Sequence, residues 1–521
     1  MYGSDIIRAL GILGLLAALA ASFGEEAAAA QRFPVVVVPG LELDDLEQLS
    51  RRGAIGLLVP AAGPRTSAEA AAAALERGRL RNSLRGGLPE GAPLIRFERR
   101  RRPPVEGPAI VLGLPQGGDQ PNDRRYPIAV LGADYGGLLE SSSTRIPGIV
   151  SIIDVAPTAL GAQDGLESRP TDDAVPRLRE LDERIDENNA TRALVSLVVW
   201  VSICVVAVFS PRAAVLAFAT ALIASLALGV AGVSTRWVVV AVLALAVLCL
   251  APLLAFAARS PEAVAVVCVA AIAAYMAAFA ADGRWIALSP LGPTQNARFY
   301  GLSNLLETFL LVPAFVGAAV LARRRSGLFA AVAVLAVVTV AGSRFGADGG
   351  GAVVLAAGYA ALSALLARSR RVALLATAVA AAAGVALVFL LDELTGASSH
   401  VTRTIRGGPD DLAEAFWDRI TLSWARATDR ASTVLIISIA AVALVLLVVR
   451  LLGSGASARR AALPLAVVVA VAISLVVNDS PVDVVVTGLV AYLAVEAYTV
   501  LDVSAAGTLA RHLGVAPTEP Y

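Results

Sequence analysis

Lysine is absent from this chain: the 43 basic side chains among its 521 residues are all arginine, set against 42 acidic ones. Arginine without lysine reflects a GC-rich genome rather than a functional demand, and a net charge of +1 offers no basic surface for nucleic acid. Cysteine is scarce. Cys204, Cys249 and Cys268 all fall inside apolar runs without ligand spacing, so neither a disulfide framework nor a metal site is implied. Histidine occurs twice, and nowhere between residues 31 and 190. Charged residues make up 16% of the chain and hydrophobic ones 57%, which excludes an ordinary soluble protein and fits one that crosses a membrane many times.

What is present divides the chain into unlike parts. Residues 1–30 hold an apolar stretch (6–23) behind Arg8, which reads either as a cleaved signal peptide or as a retained anchor helix; both place the next domain outside the cytoplasm. Residues 31–190 have the composition of a soluble domain. Two β-branched runs there, 35–38 and 148–155, are bounded by proline or glycine and suit buried strands of a parallel sheet. Between them 67–79 has an alanine-rich helical pattern, so an extracytoplasmic α/β domain is expected. The charged stretch 177–188 reads as a helical neck. Residues 191–502 are expected to form an α-helical polytopic membrane bundle of about 11 spans. These fall near 192–209, 213–232, 237–257, 263–281, 303–322, 328–343, 350–367, 372–391, 432–450, 461–477 and 482–501, and 503–521 is left as a cytoplasmic tail.

Short arginine-rich loops fix the expected orientation. Arg212, Arg259, Arg323 to Arg325, Arg368, Arg370, Arg371, Arg450, Arg459 and Arg460 all fall on one side, which the positive-inside bias makes cytoplasmic. The expected location is the plasma (inner) membrane, multi-pass, with 31–190 outside. The longest outer loop carries an amphipathic pattern near 409–427, in which Leu412, Phe416, Ile420 and Trp424 recur every four residues. It reads as an interfacial helix with Trp417 and Trp424 at headgroup depth, acting either as a cap on the bundle or as a substrate guide. The basic run RFERRRR (96–102) before Pro103 and Pro104 reads as a solvated loop.

Four short polar motifs interrupt the hydrophobic part, all on the outer side: QNARFYGLSN (295–304), SRFGADGGG (343–351), SHVTR (399–403) and NDSP (478–481). They contribute Arg298, Tyr300, Asn304, Glu307 one turn further on, Arg344, Asp348, His400, Arg403, Asn478 and Asp479 as candidate substrate-binding residues. Charges at span mouths are costly unless they serve each other or a ligand. One reading pairs Arg298, Arg344 and Arg403 with Glu307, Asp348, Asp479 or Asp483 as clamps between helix ends. The other has the three arginines hold a phosphate or pyrophosphate with their guanidinium forks. Asp348, Asp479 and His400 are the candidate catalytic groups, and a lone histidine is too little for a metal centre. Glu496 lies deep in the last apolar run, where it would serve proton coupling or pair with a bundle arginine.

The segment SSSTRIPGIVSIIDVAPTAL (141–160) resembles part of the alkaline phosphatase-like superfamily, through Ser143, Thr144, Arg145, Gly148, Asp154, Pro157 and Thr158. VVVVPGLELDDL (35–46) is similar to the first strand and turn of that fold, and GPRTSAEAAAAALERG (63–78) to the turn and helix that carry its nucleophile. In active members the first strand ends in a metal-binding aspartate, where this chain has Pro39, and later aspartates and histidines complete two metal sites. The resemblance therefore implies a degenerate, non-catalytic relative in which Thr66 and Ser67 are ordinary hydroxyls. Anchor, exported domain and many spans succeed one another as in the ethanolamine-phosphate transferases of glycolipid anchor assembly. The whole chain resembles actinobacterial polytopic cell-envelope proteins, which implies an envelope location and no particular chemistry.

The expected function is recognition of a lipid-linked or phosphate-bearing substrate at the outer membrane face, and then its transport or presentation, with no cofactor. Membrane lipid, lipid-linked envelope precursors and envelope-assembly proteins are the expected partners, and nucleic acid is not among them. The alternative is an envelope phosphoryl- or glycosyl-transferase using a lipid-linked donor, with Asp348, Asp479 or His400 as base.

Overall fold

The computed structural model describes residues 31–293, 299–367, 409–478 and 480–512, the side chains of 409–416 and 501–512 excepted. The N-terminal segment, the expected span at 372–391 and the candidates Arg298, His400, Arg403 and Asp479 lie outside the described residues.

Residues 31–170 build a mixed eight-stranded sheet: β1 (Val35–Val37), β2 (Gly53–Val59), β3 (Phe97–Arg99), β4 (Ala109–Leu112), β5 (Tyr126–Leu131), β6 (Gly137–Glu140), β7 (Ile149–Ser151) and β8 (Glu167–Arg169). The spatial order is β8-β6-β2-β5-β4-β1-β3, with β7 also paired to β2. The sheet is not the all-parallel one expected. β1 runs parallel to β3 and β4, while β5 lies antiparallel between β2 and β4. The 148–155 run also divides: only Ile149–Ser151 is strand, and the chain then turns through Ile152–Asp154 into helix α2 below.

Both faces of the sheet are covered, which is why β2 is buried at all seven residues. Successive side chains alternate between faces. Val35, Val37, Leu58, Ile110, Ile128 and Val130 pack with helices α1 (Ala68–Arg77) and α2 (Val155–Leu160). The hydroxyl of Ser67 caps α1 by accepting the Ala70 N–H at 3.1 Å, a bond whose loss costs ~1 kcal/mol. On the other face Val36, Ile55, Leu57, Val111 and Ala129 meet Leu178 and Ile185 of helix α3 (Ala174–Phe209), together with Ala287, Leu288 and Phe299 from further along the chain.

Helix α3 is the expected neck and first span in one piece. Its 36 residues reach about 54 Å at 1.5 Å per residue, enough to hold the sheet and still cross a bilayer. Next come α4 (Pro211–Ala231), α5 (Arg236–Ala257), α6 (Pro261–Asp282), a short turn α7 (Arg284–Ala287), α8 (Asn304–Ala322), α9 (Ser326–Ala341), α10 (Gly349–Leu366), α11 (Pro409–Thr428), α12 (Ala431–Gly453), α13 (Ala458–Val477) and α14 (Pro481–His512). Among the described residues nine helices are long and apolar enough to cross a membrane, and α9 is a shorter apolar one of 16 residues. Helices α4 and α8 are almost wholly enclosed, whereas α12 turns most of its side chains outward. Outward-facing Leu197, Val201, Leu253, Phe256, Ile439 and Leu446 give the bundle an apolar exterior.

Helix α11 spans the expected interfacial element and leaves Trp417 and Trp424 exposed, while Ser423 turns inward to donate to the Leu475 carbonyl at 2.7 Å. Glu496 pairs with Arg450 at 2.5 Å, at the end of the bundle away from the sheet.

Candidate functional site

Three corners of the bundle meet beneath the sheet. At the first, the Ser303 hydroxyl caps α8, accepting the Leu306 N–H at 3.1 Å and donating to the Leu291 carbonyl at 2.9 Å. This fixes Asn304 and Glu307 in the opening turn of α8, with Glu307 1% exposed.

At the second corner the end of α9 folds back on itself. The N–H groups of Gly346 and Asp348 donate to the carbonyls of Thr339 and Val340, each at 2.9 Å, and Ala347 adopts a left-handed φ of 49°. The reversal drives Asp348 inward to cap α10, where Oδ1 accepts the Gly350 N–H at 3.1 Å. A backbone bond from the Leu302 N–H to the Gly346 carbonyl, at 3.0 Å, ties this corner to the first.

The third corner ends α13. Asn478 Nδ2 donates to Glu307 Oε2 at 2.6 Å and to the Ser474 hydroxyl at 2.7 Å. Two glycines let the corners approach. A Cβ on Gly350 would stand 2.6 Å from Asn478 Oδ1, and one on Gly351 would stand 2.5 Å from Val340 Cγ1 and 3.1 Å from Glu307 Cδ. The described parts of motifs 295–304, 343–351 and 478–481 therefore converge.

The centre is acidic and short of donors. Glu307, Asp348 and Asn478 are each 1% exposed, and among the described residues Glu307 Oε1, Asp348 Oδ2 and Asn478 Oδ1 have no hydrogen-bond partner. Glu307 and Asp348 lie within electrostatic reach of one another, and Arg419 of α11 within reach of Glu307. Among the described residues no group of three histidine, cysteine or acidic side chains is placed to hold a metal ion.

Around this centre stand cations from both parts of the chain. Arg344 is exposed. Arg145, in the sheet region, holds a left-handed φ of 58°, a conformation that costs about 1–2 kcal/mol for a side chain with a Cβ. From there its guanidinium donates to the Ser343 carbonyl and lies 4.2 Å from the centre of the Tyr300 ring. Arg85 likewise reaches Asp418 of α11 at 2.8 Å. Asp483 stands apart from the buried centre and pairs with Arg192 at 3.5 Å.

Of the candidates named from the sequence, Glu307, Asp348 and Asn478 are brought together; Ser474, Arg419 and the contact made by Arg145 were not among them. Ser474 lies four residues before Asn478 on the same helix face, a signal that was available. Nothing in the sequence ties Arg145 to the membrane motifs.

The sheet region was expected to resemble the alkaline phosphatase-like fold. No protein-family model matches the chain, and neither a curated protein nor a solved structure resembles it significantly. Locally, Ser67 is a helix cap and Thr66 is 4% exposed with an unpartnered hydroxyl. Asp154 accepts the hydroxyls of Ser141 and Ser143 at 2.6 and 2.5 Å and the Ser151 N–H at 2.8 Å, so here it organises a turn.

Proposed function

We propose that this chain is an integral membrane protein of the cell envelope that recognises a lipid-linked or phosphate-bearing substrate at the sheet-side face of its bundle and carries or presents it. The observation that supports the reading is the meeting of three polar motifs at one level beneath the sheet, with Arg145, Arg344 and Arg419 around a buried acid and amide centre. The exposed guanidinium groups of Arg344 and Arg419 suit phosphate oxygens, and the carboxylates behind them repel an anion that enters too far. In this reading the sheet region is extracytoplasmic and non-catalytic, a degenerate relative of the alkaline phosphatase-like enzymes that receives the substrate.

The test is native mass spectrometry of the detergent-purified protein. A co-purifying lipid phosphate is expected in the wild type. Its occupancy should fall about 10- to 100-fold in Arg344→Ala or Arg419→Ala, the loss of one charged hydrogen bond of ~1.5–3 kcal/mol. Wild-type lipid content in both variants at normal protein yield refutes the reading.

A second reading is supported by Asp348, whose Oδ2 has no partner. In an envelope phosphoryl- or glycosyl-transferase that oxygen is the base that takes the proton of the attacking hydroxyl. Asp348→Asn separates the two: a transferase loses turnover and keeps bound lipid, whereas a carrier has no turnover to lose.

A further inference from the structure

We infer that Glu307, Asp348 and Asn478 form a binding site for a monovalent metal cation of sodium size. Among the described residues three oxygens there have no partner, Glu307 Oε1, Asp348 Oδ2 and Asn478 Oδ1, each on a side chain 1% exposed. All three are acceptors. A proton on either carboxyl would supply one hydrogen bond and a water molecule at most two, so either alone leaves an oxygen unsatisfied where bulk water does not reach. A cation satisfies all three together.

The three side chains that carry these oxygens crowd around Gly350 and Gly351. A Cβ on Gly350 would lie 2.6 Å from Asn478 Oδ1, 3.4 Å from Asp348 Oδ1 and 3.4 Å from the Val477 carbonyl oxygen, while the neighbouring Gly351 abuts Glu307 Cδ. Asn478 Nδ2 is committed to Glu307 Oε2 and Ser474, which points its Oδ1 inward. The donor set is two carboxylates and a carboxamide, with a backbone carbonyl beside them. Hard oxygen ligands without histidine or cysteine select an alkali or alkaline-earth ion over a transition metal.

Charge decides between those two. With both carboxyls ionised the site would carry −2, opposed by Arg419 and by the N-termini of α8 and α10, whose macrodipoles are worth roughly +0.5 each. A single positive charge therefore departs less from neutrality than a divalent ion does. Coupling of this ion to substrate movement rests on the carrier reading above, whereas binding of the ion does not, so the lipid and sodium experiments fail independently.

The experiment uses the full-length protein in detergent, with choline chloride replacing sodium or potassium chloride at constant ionic strength. Wild-type Tm should rise with the logarithm of sodium concentration and not with potassium. Equilibrium dialysis with radioactive sodium should find a single saturable site that lithium displaces and choline does not. Asp348→Asn and Asn478→Ala should weaken sodium binding by at least ~10-fold. Where a variant fails to fold, the wild-type dialysis decides alone. The inference is overturned by absence of saturable sodium binding in the wild type, by sodium binding unchanged in folded variants, or by stabilisation that tracks acidification and ignores sodium.

Discussion

Asp154 sits 6% exposed where β7 turns toward α2, and three donors converge on its two oxygens. Burial nevertheless pushes its carboxyl above the ordinary range, because loss of water outweighs those donors. The folded chain therefore holds this proton more tightly than the unfolded chain does. Its contribution to stability is fully present below the unfolded value and is lost as pH rises through the raised folded value. Thermal unfolding of the intact protein from about pH 4 to about pH 7 should show that decline, and Asp154→Asn should flatten it. An undiminished slope in the variant would assign the titration to another group. The same residue shows how far a motif can be read. The Asp-x-x-Pro-Thr corner was legible as a local shape, since Thr158 Oγ1 donates to the Asp154 carbonyl and accepts the Leu166 N–H. Whether a corner serves chemistry depends on residues that strand pairing brings from elsewhere.

Helix α3 is secured to the sheet by Arg125, whose side chain is 4% exposed and pairs with Asp182 and Asp186 one turn apart. Removing the guanidinium leaves Asp182, 23% exposed, without its partner. Breaking a buried pair costs about 3–5 kcal/mol, and partial exposure brings the expected loss for Arg125→Met to about 1–3 kcal/mol. The measurement is the Tm difference from wild type, and a double variant with Asp182→Asn should recover part of it. Element by element, the helices were the legible part of the chain. Long apolar runs announce spans, and Ser67 before an alanine-rich run announces α1. The sheet was not. Six of its eight strands escaped detection, because segments such as Phe97–Arg99 and Glu167–Arg169 are short and polar and gain strand character only from neighbours distant in sequence. Nor was the antiparallel course of β5 predictable from its apolar run, since buried strands of either direction read alike. In the site, the polar residues were visible because they interrupt hydrophobic runs, whereas their convergence depends on backbone bonds such as Leu302 to Gly346 that leave no trace in side-chain chemistry.

Across the whole molecule, one apolar cluster runs from the sheet through α3 to Ala287, Leu288 and Phe299 in the bundle. Phe299 is 2% exposed there, and burying a phenylalanine ordinarily contributes several kcal/mol. Phe299→Ala should therefore cost ~3 kcal/mol and be felt at a distance: limited proteolysis should cut the 31–170 region faster, although the substitution lies outside it. A variant with wild-type proteolysis would show that the sheet stands without the bundle. The shared cluster also sets an order of events during synthesis. The sheet's last strand is complete at Arg169, and Leu178 and Ile185 of α3 follow at once, yet the last residues that close this face, Ala287, Leu288 and Phe299, are translated more than a hundred positions later, after α4, α5 and α6. Until that stretch emerges, the newly made sheet keeps part of this apolar face uncovered. Burial of the sheet is thus completed only by residues that follow α6, so a chain released before residue 287 should expose more apolar surface than the full chain does.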